Sequence, residues 1–488
     1  MNSLVNLCTR RSIIIPAFEV YGEVAGFYDY GPIGTRIKHN IENFWRKFFI
    51  DGMGNLEIEG TIIYPERVFE ASGHLKNFVD PIVNCPKCGS SYRADKLLEE
   101  YFGSIKDEAR KEKVKHAASE EMESMIKENL KCLKCKSELG TIGKFNLMFE
   151  TKIGPSNKQI GYLRPETAQG IFLDFKEIFR NYGLKLPVGI GQSGKVFRNE
   201  ISPRNMLIRM REFSQMEIEY FFDPEDLSSI EKDAESYTAC KVNFLSRDAQ
   251  ANRGTEVEAL SIGELLDRKV IPNHLYAMLL SKEIEFLNGL GIGNELIRLR
   301  DLLDDELPHY SKRNIDVEVR VNEGFEELIG NAYRTDFDLM NHQNNSKKNM
   351  SVLSNNKNIV PHVVEVSFGT DRLFWSIMYN SIYKTEGREW SLLLLNEHVA
   401  PYKYALFPLQ KDQQLTDKAA AIRAKLINDG ASVFYSESGS IGKRYAKADE
   451  MGIRNTITVD YDTLKDETVT VRNASDTKQT RTDWKQIR

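Results

Sequence analysis

The stretch from Val196 to Phe222 constrains the fold of this chain more than any other. It contains two runs typical of β-strands, separated by Ser202-Pro203-Arg204-Asn205. Proline interrupts the hydrogen-bond ladder of a strand, and asparagine tolerates the backbone of a tight bend. The stretch therefore predicts a β-hairpin whose turn lies at these four residues.

Side chains along a strand alternate between two faces, so the hairpin predicts one polar and one apolar face. The apolar face carries Ile208, Met210, Met216 and Ile218. The polar face carries Arg198, Glu200, Arg209, Arg211, Phe213, Gln215 and Glu217. Arginine side chains match phosphate oxygens, and a phenyl ring can stack on a purine. The polar face is therefore typical of a binding surface for a ligand with phosphates, a flat base and an ammonium group. The alternative is a solvated face laced with salt bridges.

Length and charge limit the class of protein. A chain of 488 residues is too long for one domain, and we expect about three. The formal net charge is −5, so any contact with RNA must rest on local basic patches, and DNA is not an expected partner. There is no run of about 18 or more apolar residues and no signal-peptide pattern. We therefore expect a cytoplasmic protein without a membrane partner, whose cysteines are reduced thiols or metal ligands.

Two C-x-x-C pairs, Cys85/Cys88 and Cys132/Cys135, predict a structural metal site. Each pair can place two thiolates on one tetrahedral ion, and four thiolates close the coordination sphere of a structural Zn²⁺. The segment between the pairs, about Lys106 to Leu130, has a helical pattern and mixes acids with bases, which is typical of a solvated arm. Four spare thiols in a mobile insertion are the alternative.

Helical patterns flank the hairpin on both sides. A turn at Gly31-Pro32 opens a helix that runs to about Asp51, with an apolar stripe that suits the core or a subunit interface. Residues 223–307 have a mainly helical pattern, including a helix over 296–303. Residues 341–358 are rich in Asn and Lys and predict a mobile loop.

A second polar strand precedes a helix near residue 370. His362 to Phe368 predicts a strand that points Glu365 and Ser367 to one face. Asp371 and Arg372 then open a helix, and Asp371 is a candidate cap. An arginine in a first helical turn opposes the helix dipole, which indicates an anionic partner for it.

From Pro401 onward, strands and helices alternate over about 90 residues, which is the pattern of a separate α/β domain.

Motifs along the chain resemble those of a known enzyme family. They are, in order, DYGPIG, ASGH, YRADKL, RPETAQGIF, FRNEISPR, REFSQMEIE, EVSFGTDR and IGKRYAKADEMG. F-R-x-E with a later R-E-F is similar to motif 2 of the class II aminoacyl-tRNA synthetases, G-T-D-R to motif 3, and the segment ending at Pro65 to motif 1. RPETAQG and QMEIE make the chain resemble the homodimeric glycyl-tRNA synthetases in particular, because other members of the class carry different residues there.

The resemblance implies an ATP site. Arg198 and Arg372 are the implied catalytic residues, and together with Arg209 they hold the phosphates. Phe213 stacks on the adenine, and Glu327 helps to hold Mg²⁺. The full implied set comprises Arg198, Asn199, Glu200, Arg209, Met210, Arg211, Glu212, Phe213, Glu327, Leu328, Gly369, Thr370, Asp371 and Arg372.

The resemblance also implies a glycine pocket, in which Glu166, Glu217 and Glu365 surround the ammonium group. These carboxylates narrow the pocket, and only steric exclusion can reject alanine, because glycine has no side chain to grip. The full implied set comprises Arg93, Glu166, Phe213, Ser214, Gln215, Met216, Glu217, Glu365, Val366, Ser367, Phe368 and Gly369. The implied reaction activates glycine with ATP to glycyl-adenylate and pyrophosphate and then transfers glycine to the 3′ end of tRNA(Gly).

The implied fold class is α/β (α+β), with an antiparallel-sheet catalytic domain. We expect residues 1–81 to form the first part of the catalytic domain, including motif 1, and residues 82–140 to form the cysteine-containing insertion. Residues 141–397 would hold motifs 2 and 3 and a helical insertion at about 223–310, and residues 398–488 would form an anticodon-binding domain. The basic side chains expected near RNA in the last domain are Lys443, Arg444, Lys447 and Arg472.

Three other interpretations fit parts of the sequence. A class II synthetase for serine, threonine or proline would share the hairpin, but RPETAQG and QMEIE argue against it. A catalytically inactive relative would usually lose the arginines of motifs 2 and 3, whereas Arg198, Arg209 and Arg372 are all present. A free-standing RNA-binding module would not need a face for phosphates and adenine.

Overall fold

The structure of the chain is a computed structural model that describes residues 2–22, 24–155, 159–252, 254–384 and 387–487. Its first strands are β1 Ile14–Pro16, β2 Tyr28–Tyr30, β3 Leu56–Ile58, β4 Ile63–Pro65, β5 Val79–Asn84, β6 Ser91–Arg93, β7 Ile142–Asn146, β8 Phe149–Ile153, β9 Gln159–Leu163, β10 Val188–Phe197, β11 Glu212–Phe222, β12 Lys241–Leu245 and β13 Glu258–Ser261. The later strands are β14 Ile297–Asp301, β15 Asn314–Val321, β16 Gly324–Thr335, β17 Val352–Ser354, β18 Lys357–Ile359, β19 His362–Gly369, β20 Ile382–Tyr383, β21 Leu392–Leu393, β22 Tyr404–Pro408, β23 Val433–Tyr435, β24 Asn455–Val459, β25 Thr468–Asn473 and β26 Gln479–Asp483.

The α-helices lie between and around these strands. They are α1 Asn2–Arg10, α2 Pro32–Trp45, α3 Glu66–Ala71, α4 His74–Asn77, α5 Ala94–Ser104, α6 Glu108–His116, α7 Ser119–Asn129, α8 Ala168–Asn181, α9 Ser228–Glu231, α10 Glu235–Thr238, α11 Arg247–Ala251, α12 Ile262–Asp267, α13 His274–Gly289, α14 Phe337–Ser346, α15 Thr370–Asn380, α16 Gln413–Asn428, α17 Ile441–Glu450 and α18 Thr463–Asp466. Within the described residues, no helix combines the length and the apolar character that crossing a bilayer would require.

A nine-stranded sheet carries the hairpin that the sequence predicts. Its strand order is β13-β12-β14-β15-β16-β19-β11-β10-β3, and all pairs except β10/β3 and β12/β14 are antiparallel. The register of β11 and β19 places Glu217 opposite Ser367 and Glu219 opposite Glu365. The polar residues predicted on the two separate strands therefore meet on one face of the sheet.

The hairpin is confirmed, but its regular strands are shorter than the sequence predicts. β10 ends before Arg198 and β11 begins after Arg211, although the amide of Arg198 still donates to the carbonyl of Arg211 at 2.9 Å. Asn205 has a φ of 59°, which is the left-handed backbone expected of asparagine in a tight turn. The two segments that follow β10 and precede β11 are therefore still hydrogen-bonded, although they are not regular strands.

The apolar face of the sheet packs on the long helix of the N-terminal part. Ile37, Ile41 and Trp45 of α2 are fully buried, and a π-helical turn over Arg46–Asp51 continues the stripe to Phe49. The ring of Phe49 lies 5.1 Å from that of Phe368 on β19. The stripe thus belongs to the core, as one of the two sequence interpretations predicted.

Two stretches differ from their predicted secondary structure. Residues 297–301 form β14 rather than a helix, because their alternating burial matches a strand that pairs with β12 and β15 inside the large sheet. β12 and β13 likewise interrupt the region that the sequence predicts as helical. In the predicted loop at 341–358, α14 continues to Ser346 and β17 pairs with β18 as a short hairpin.

The residues around the four cysteines form a compact unit of their own. β5, β6 and β7 make a three-stranded sheet, and α5, α6 and α7 pack beside it. Leu98, Phe102 and Ile126 form its buried core. The predicted helical arm is therefore confirmed as helical, and part of it is buried rather than solvated.

The C-terminal residues form a five-stranded sheet with the order β23-β22-β24-β25-β26. This sheet has its own core against α16, while Ala448 of α17 and Met451, directly after α17, belong to the main core of the protein. Glu450 also forms ion pairs with Arg10 and Arg11. The C-terminal unit is therefore firmly attached to the rest of the chain.

Arg444 and Arg472 require a correction to the expected RNA surface. Arg444 is buried and donates to the carbonyls of Pro408 and Leu409, and Arg472 is buried in a two-bond ion pair with Asp449. Both guanidinium groups are committed to the interior of the unit, so they are not free to contact a nucleic acid.

Candidate active site

A cavity of about 660 Å³ opens on the polar face of the large sheet. It lies where the loop after β10, the start of β11, the strands β16 and β19 and the start of α15 converge. The predicted residues that line it are Glu166, Arg198, Glu200, Arg209, Met210, Phe213, Ser214, Gln215, Glu217, Glu327, Leu328, Glu365, Ser367, Gly369, Asp371 and Arg372. The structure therefore brings together both halves of the predicted site.

The loop between β10 and β11 supplies two of the arginines at one end of the cavity. The guanidinium of Arg198 lies 5.3 Å from the centre of the Phe213 ring and donates to the carbonyl of Pro165 at 3.2 Å. Arg209 forms an ion pair with Glu200 at 2.7 Å. Two arginines and an aromatic face are thus held side by side in a form that phosphates and a flat base can use.

The start of α15 supplies the third arginine. Nη1 of Arg372 lies 3.2 Å from Oε2 of Glu327, and its Nε donates to the carbonyl of Ile208 at 3.1 Å. The anionic partner predicted from its place in the first helical turn is therefore Glu327 in this structure. Both ends of this pair are partly exposed to the cavity.

Asp371 joins three elements rather than capping its own helix. Its carboxylate accepts a hydrogen bond from the amide of Ser214 at 2.5 Å on β11 and another from the hydroxyl of Tyr30 on β2. The residue before α15 is Gly369, which makes no side-chain cap. Asp371 therefore fixes the helix that carries Arg372 against the strand that carries Phe213.

Glu217 is held rigidly at the other end of the cavity. Its Oε2 accepts from the amide of Thr167 at 2.6 Å and from the Thr167 hydroxyl. Its Oε1 accepts from the hydroxyl of Ser367 at 2.7 Å. A buried carboxylate with this many donors presents its negative charge at a fixed position.

A fully buried arginine, Arg334 on β16, connects the remaining carboxylates. Its guanidinium donates to Asp338 at 2.7 Å and to Glu365 at 2.9 Å, and lies 3.6 Å from Glu166. The Tyr310 ring covers it, with 3.7 Å between the guanidinium carbon and the ring centre. This end of the cavity is therefore an acidic pocket built around one cation.

The carboxylates of the acidic pocket differ in proton affinity. Burial would raise the pKa of Glu166, but the nearby His74 and Arg334 outweigh it and hold the pKa below its usual range. Burial raises the pKa of Glu365 to about 8 in spite of Arg334, and the charges of Glu217 and Glu166 add to the rise. Glu166 therefore ionises at a lower pH than Glu365.

Several predicted site residues lie elsewhere. Met216, Val366 and Phe368 point into the core, because their strand positions alternate with those of the cavity residues. The others are engaged outside the lining of the cavity. Arg93 pairs with Asp80 and Asp95, Arg211 donates to Ala25, Glu212 pairs with Lys195, the amide of Asn199 donates to Leu147, and Thr370 is buried at the start of α15.

The structure also adds residues that the sequence analysis did not place in the site. They include Thr167, Glu219, Tyr310, Asp316, Arg334 and Asp338. Two signals could have found some of them. Arg334 and Asp338 have the i, i+4 spacing of an ion pair at a helix start. Glu219 continues the alternation of polar residues along β11 beyond Glu217.

The four cysteines of the two C-x-x-C pairs meet in space. Their Sγ atoms all lie within 4.8 Å of one another, with 3.4 Å between Cys85 and Cys135 and 3.5 Å between Cys88 and Cys132. Metal–sulfur bonds of about 2.3 Å in a tetrahedron would separate the sulfur atoms by about 3.8 Å. The cluster therefore fits a four-thiolate metal site.

Comparison with known proteins covers both the core and the C-terminal unit. The tRNA synthetase class II core domain (G, H, P, S and T) matches residues 149–381, and the anticodon binding domain matches residues 403–488. A glycine–tRNA ligase of Methanothrix thermoacetophila is 36% identical over 558 aligned positions, which span 98% of this chain and 94% of the relative. The chain belongs to the glycine–tRNA ligase family.

Other members of the glycine–tRNA ligase family are similar over the same span. That of Methanocaldococcus jannaschii is 35% identical, over 98% of this chain and 96% of the relative. That of Aeropyrum pernix is 33% identical, over 99% of this chain and 94% of the relative. The alignments are longer than the 488 residues of this chain, so these relatives contain segments that it lacks.

The fold is also found in solved synthetase structures of low sequence identity. Giardia lamblia prolyl-tRNA synthetase in complex with prolyl-adenylate matches with a TM-score of 0.61 at 13% identity, over 99% of this chain and 73% of that one. This likeness shows the class II fold, as the sequence predicts.

Proposed function

We propose that this chain is a glycine–tRNA ligase, which activates glycine with ATP to glycyl-adenylate and then transfers glycine to the 3′ end of tRNA(Gly). One observation carries the proposal: a single cavity joins three arginines at one end to an acidic pocket at the other. The arginines suit a triphosphate, and the pocket suits an ammonium group. The relatives named glycine–tRNA ligase over nearly the whole chain support the same reaction.

The arginines would act in the activation step. The glycine carboxylate attacks the α-phosphorus and pyrophosphate leaves from the opposite side, so no side-chain nucleophile is required. Arg198 would hold the α-phosphate, and Arg209 and Arg372 the outer phosphates. Because their positions are fixed before ATP binds, they stabilise the developing charge with little reorganisation. Phe213, whose ring centre lies 5.3 Å from the Arg198 guanidinium, would stack on the adenine.

The acidic pocket would select glycine by its charge and its small size. Glu166, Glu217 and Glu365 would surround the ammonium group, and Ser367 would keep Glu217 in place. The hydrogen bonds from Thr167 prevent Glu217 from moving aside for a larger substrate. A methyl group on the α-carbon would therefore clash with the fixed side chain of Glu217. This steric clash would exclude alanine from the glycine pocket.

The alternatives to this function have less support. A ligase for serine or proline would be expected to match relatives named for that amino acid. The relatives described above are named glycine–tRNA ligase. An inactive relative would not be expected to keep Arg198, Arg209 and Arg372 in the lining of one cavity. An RNA-binding module alone would not explain the acidic pocket.

Glu327 is proposed to help hold Mg²⁺ at the phosphate end. Burial and the charges of Glu327 and Glu318 raise the pKa of the nearby Asp316, so this end has an excess of carboxylates. Carboxylate oxygens are the ligands that Mg²⁺ prefers, and the side chains present therefore fit the ion. When bound, it would neutralise charge on the outer phosphates.

The cysteine cluster is proposed to hold a structural Zn²⁺ in the insertion at about residues 82–140. The four sulfur atoms are close enough to share one ion, and four thiolates leave no open position for chemistry. Cys85 and Cys132 also form part of the core of this unit. The ion would therefore stabilise the insertion.

A homodimer is proposed from the exposed apolar surface near motif 1. β3 forms one edge of the large sheet, and Ile62 and Ile63 beyond it are exposed. Val20 and Tyr21, between β1 and β2, are 88% and 91% exposed. A second copy of the chain would bury these side chains. We place the enzyme in the cytoplasm, where all six cysteines, which are free here, would stay reduced.

The C-terminal unit, about residues 398–488, is proposed to bind the anticodon of tRNA(Gly). Its match to the anticodon binding domain supports this role. Lys443 and Lys447 on α17 are exposed, unlike Arg444. Because α17 also packs on the main core, deleting the unit would uncover apolar side chains. Single substitutions at the exposed lysines are therefore the sharper test.

Arg198→Ala is expected to lower kcat/KM for glycine-dependent ATP–pyrophosphate exchange by about 10² to 10³-fold, because one preorganised charge on the transferred phosphate is lost. Arg180→Ala, at an exposed position of α8, is the matched control and should leave exchange unchanged. Exchange by the Arg198 variant within about tenfold of the wild type would contradict the assignment.

Elemental analysis should find about one zinc ion per chain in protein purified without added metal, as one four-thiolate site requires. Cys132→Ser is expected to remove the ion and lower the melting temperature. Cys240→Ser, which changes a cysteine outside the cluster, should do neither. Metal-free protein with an unchanged melting temperature would show that the cluster holds no structural ion.

Lys443→Ala and Lys447→Ala are expected to raise the KM for tRNA(Gly) and to leave pyrophosphate exchange unchanged. Each substitution should reduce the slope of log K against log salt by about one, because each removes one phosphate contact. Lys465→Ala, at an exposed lysine paired with Asp462, is the control. An unchanged salt dependence in both variants would move tRNA recognition away from α17.

A further inference from the structure

Glu219 is a buried carboxylate that the proposed chemistry does not use. It lies on β11 two residues after Glu217, on the same face of the sheet, and its side chain is fully buried. Neither of its carboxylate oxygens has a hydrogen-bond partner among the residues that the structure describes. A buried carboxylate without any donor is costly when ionised, so its presence beside the acidic pocket requires a reason.

The neighbours of Glu219 add negative charge rather than compensate it. The residue opposite on β10 is Ile190, and the residue opposite on β19 is Glu365. The other charged groups that face it are Glu217 on β11, Asp338 on α14 and Arg334 on β16. The hydrogen bonds of Arg334 go to Asp338 and Glu365. Glu219 therefore receives none of them.

The carboxylates of this cluster outnumber the cations beside them. The carboxylates are Glu166, Glu217, Glu219, Asp338 and Glu365. Among the described residues, the cationic groups beside them are Arg334 and His74, whose Nε2 lies 3.4 Å from Glu166. Two adjacent buried carboxylates that share so little positive charge cannot both be ionised. Burial and the charge of Glu365 raise the pKa of Glu219 well above its usual range.

We propose that Glu219 is a positioning residue of the glycine pocket: together with Glu365 it retains one proton while the pocket is empty, and the pair releases that proton when an ammonium group binds. The inference rests on the proposed function, since glycine supplies the ammonium group. The Glu219–Glu365 pair loses one proton to solvent through the cavity, which Glu365 lines. The bound ammonium supplies the positive charge that replaces it.

The proposal predicts that the affinity for glycine depends on pH. Because the bound ammonium group replaces a proton, the affinity should rise with pH. A bound cation favours the ionised pair and so lowers its pKa from the value in the empty pocket, which is about 8 at Glu365. Below that pH, binding must displace a proton, so affinity rises as the pH rises. At higher pH the pair is already ionised and affinity no longer rises; it falls once the amino group of the ligand loses its own proton, at about pH 8.

The test is calorimetric titration of the full-length enzyme with glycyl-sulfamoyl-adenosine, an unreactive analogue of glycyl-adenylate that carries the same ammonium group. Titration at pH 7 in two buffers of different ionisation enthalpy gives the number of protons released. Wild-type enzyme should release close to one proton. Its Kd should fall by about tenfold per pH unit between about pH 6 and pH 7.5, since one proton is displaced.

Glu219→Gln keeps the shape of the side chain and has no hydrogen bond to lose. The variant has no second acid to share a proton with Glu365, whereas burial, Glu217 and Glu166 still act on Glu365. It should therefore release fewer protons than the wild type and show a shallower pH profile of Kd. Glu283→Gln is the matched control, because Glu283 is also fully buried with a pKa of about 8 but lies on α13, bonded to Asn331. It should behave as the wild type does.

The outcomes separate the two proposals. Wild-type enzyme that binds the analogue without releasing a proton would overturn the inference about Glu219, whether or not the variant folds. Equal proton release by the wild type and Glu219→Gln would do the same. Failure of the wild type to bind the analogue at all would instead contradict the proposed function. ATP, which has no ammonium group, should bind with no proton release that depends on Glu219.

Discussion

The buried guanidinium of Arg334 is the interaction on which the acidic pocket depends. It is fully buried, bonded to Asp338 and Glu365, and close to Glu166. A buried charge is tolerated only when it is paired, and removing one partner leaves the others without compensation. Arg334 therefore allows several carboxylates to stand together inside the protein. It does not neutralise all of them, and the remaining negative charge is what an ammonium group can use.

The backbone places this pocket beside the arginines. The pairing of β11 with β19 sets Glu217 opposite Ser367, and the loop before β11 brings Arg198 and Arg209 to the other end of the same face. Asp371 then bonds the amide of Ser214, so the helix that carries Arg372 cannot shift relative to the sheet. Three elements distant in sequence thus form one rigid surface. Rigid placement of charges before the substrate binds is the main physical source of catalysis in such sites.

Much of this arrangement could be predicted from the sequence, since strand periodicity alone separates Phe213, Gln215 and Glu217 from the core-facing Met216. Periodicity cannot place residues beyond the regular strands: it puts Arg211 on the polar face, whereas the guanidinium of Arg211 donates to the carbonyl of Ala25. Nor could it show that Arg334 folds back onto Glu365, because that contact depends on the pairing of β16 with β19. The sequence analysis predicts a helix over 296–303, but Ile297 to Arg300 alternate apolar and charged side chains, which is the pattern of the strand that the structure contains.

The central claim is that the acidic pocket admits glycine and excludes any larger amino acid. Amino-acid-dependent ATP–pyrophosphate exchange, measured in parallel with glycine, alanine and serine, tests this claim most directly. The account predicts exchange with glycine, and with alanine a kcat/KM lower by roughly a hundredfold or more, because Glu217 is fixed by Thr167 and Ser367 and cannot make room for a methyl group. Exchange with alanine or serine that equals or exceeds exchange with glycine would contradict it.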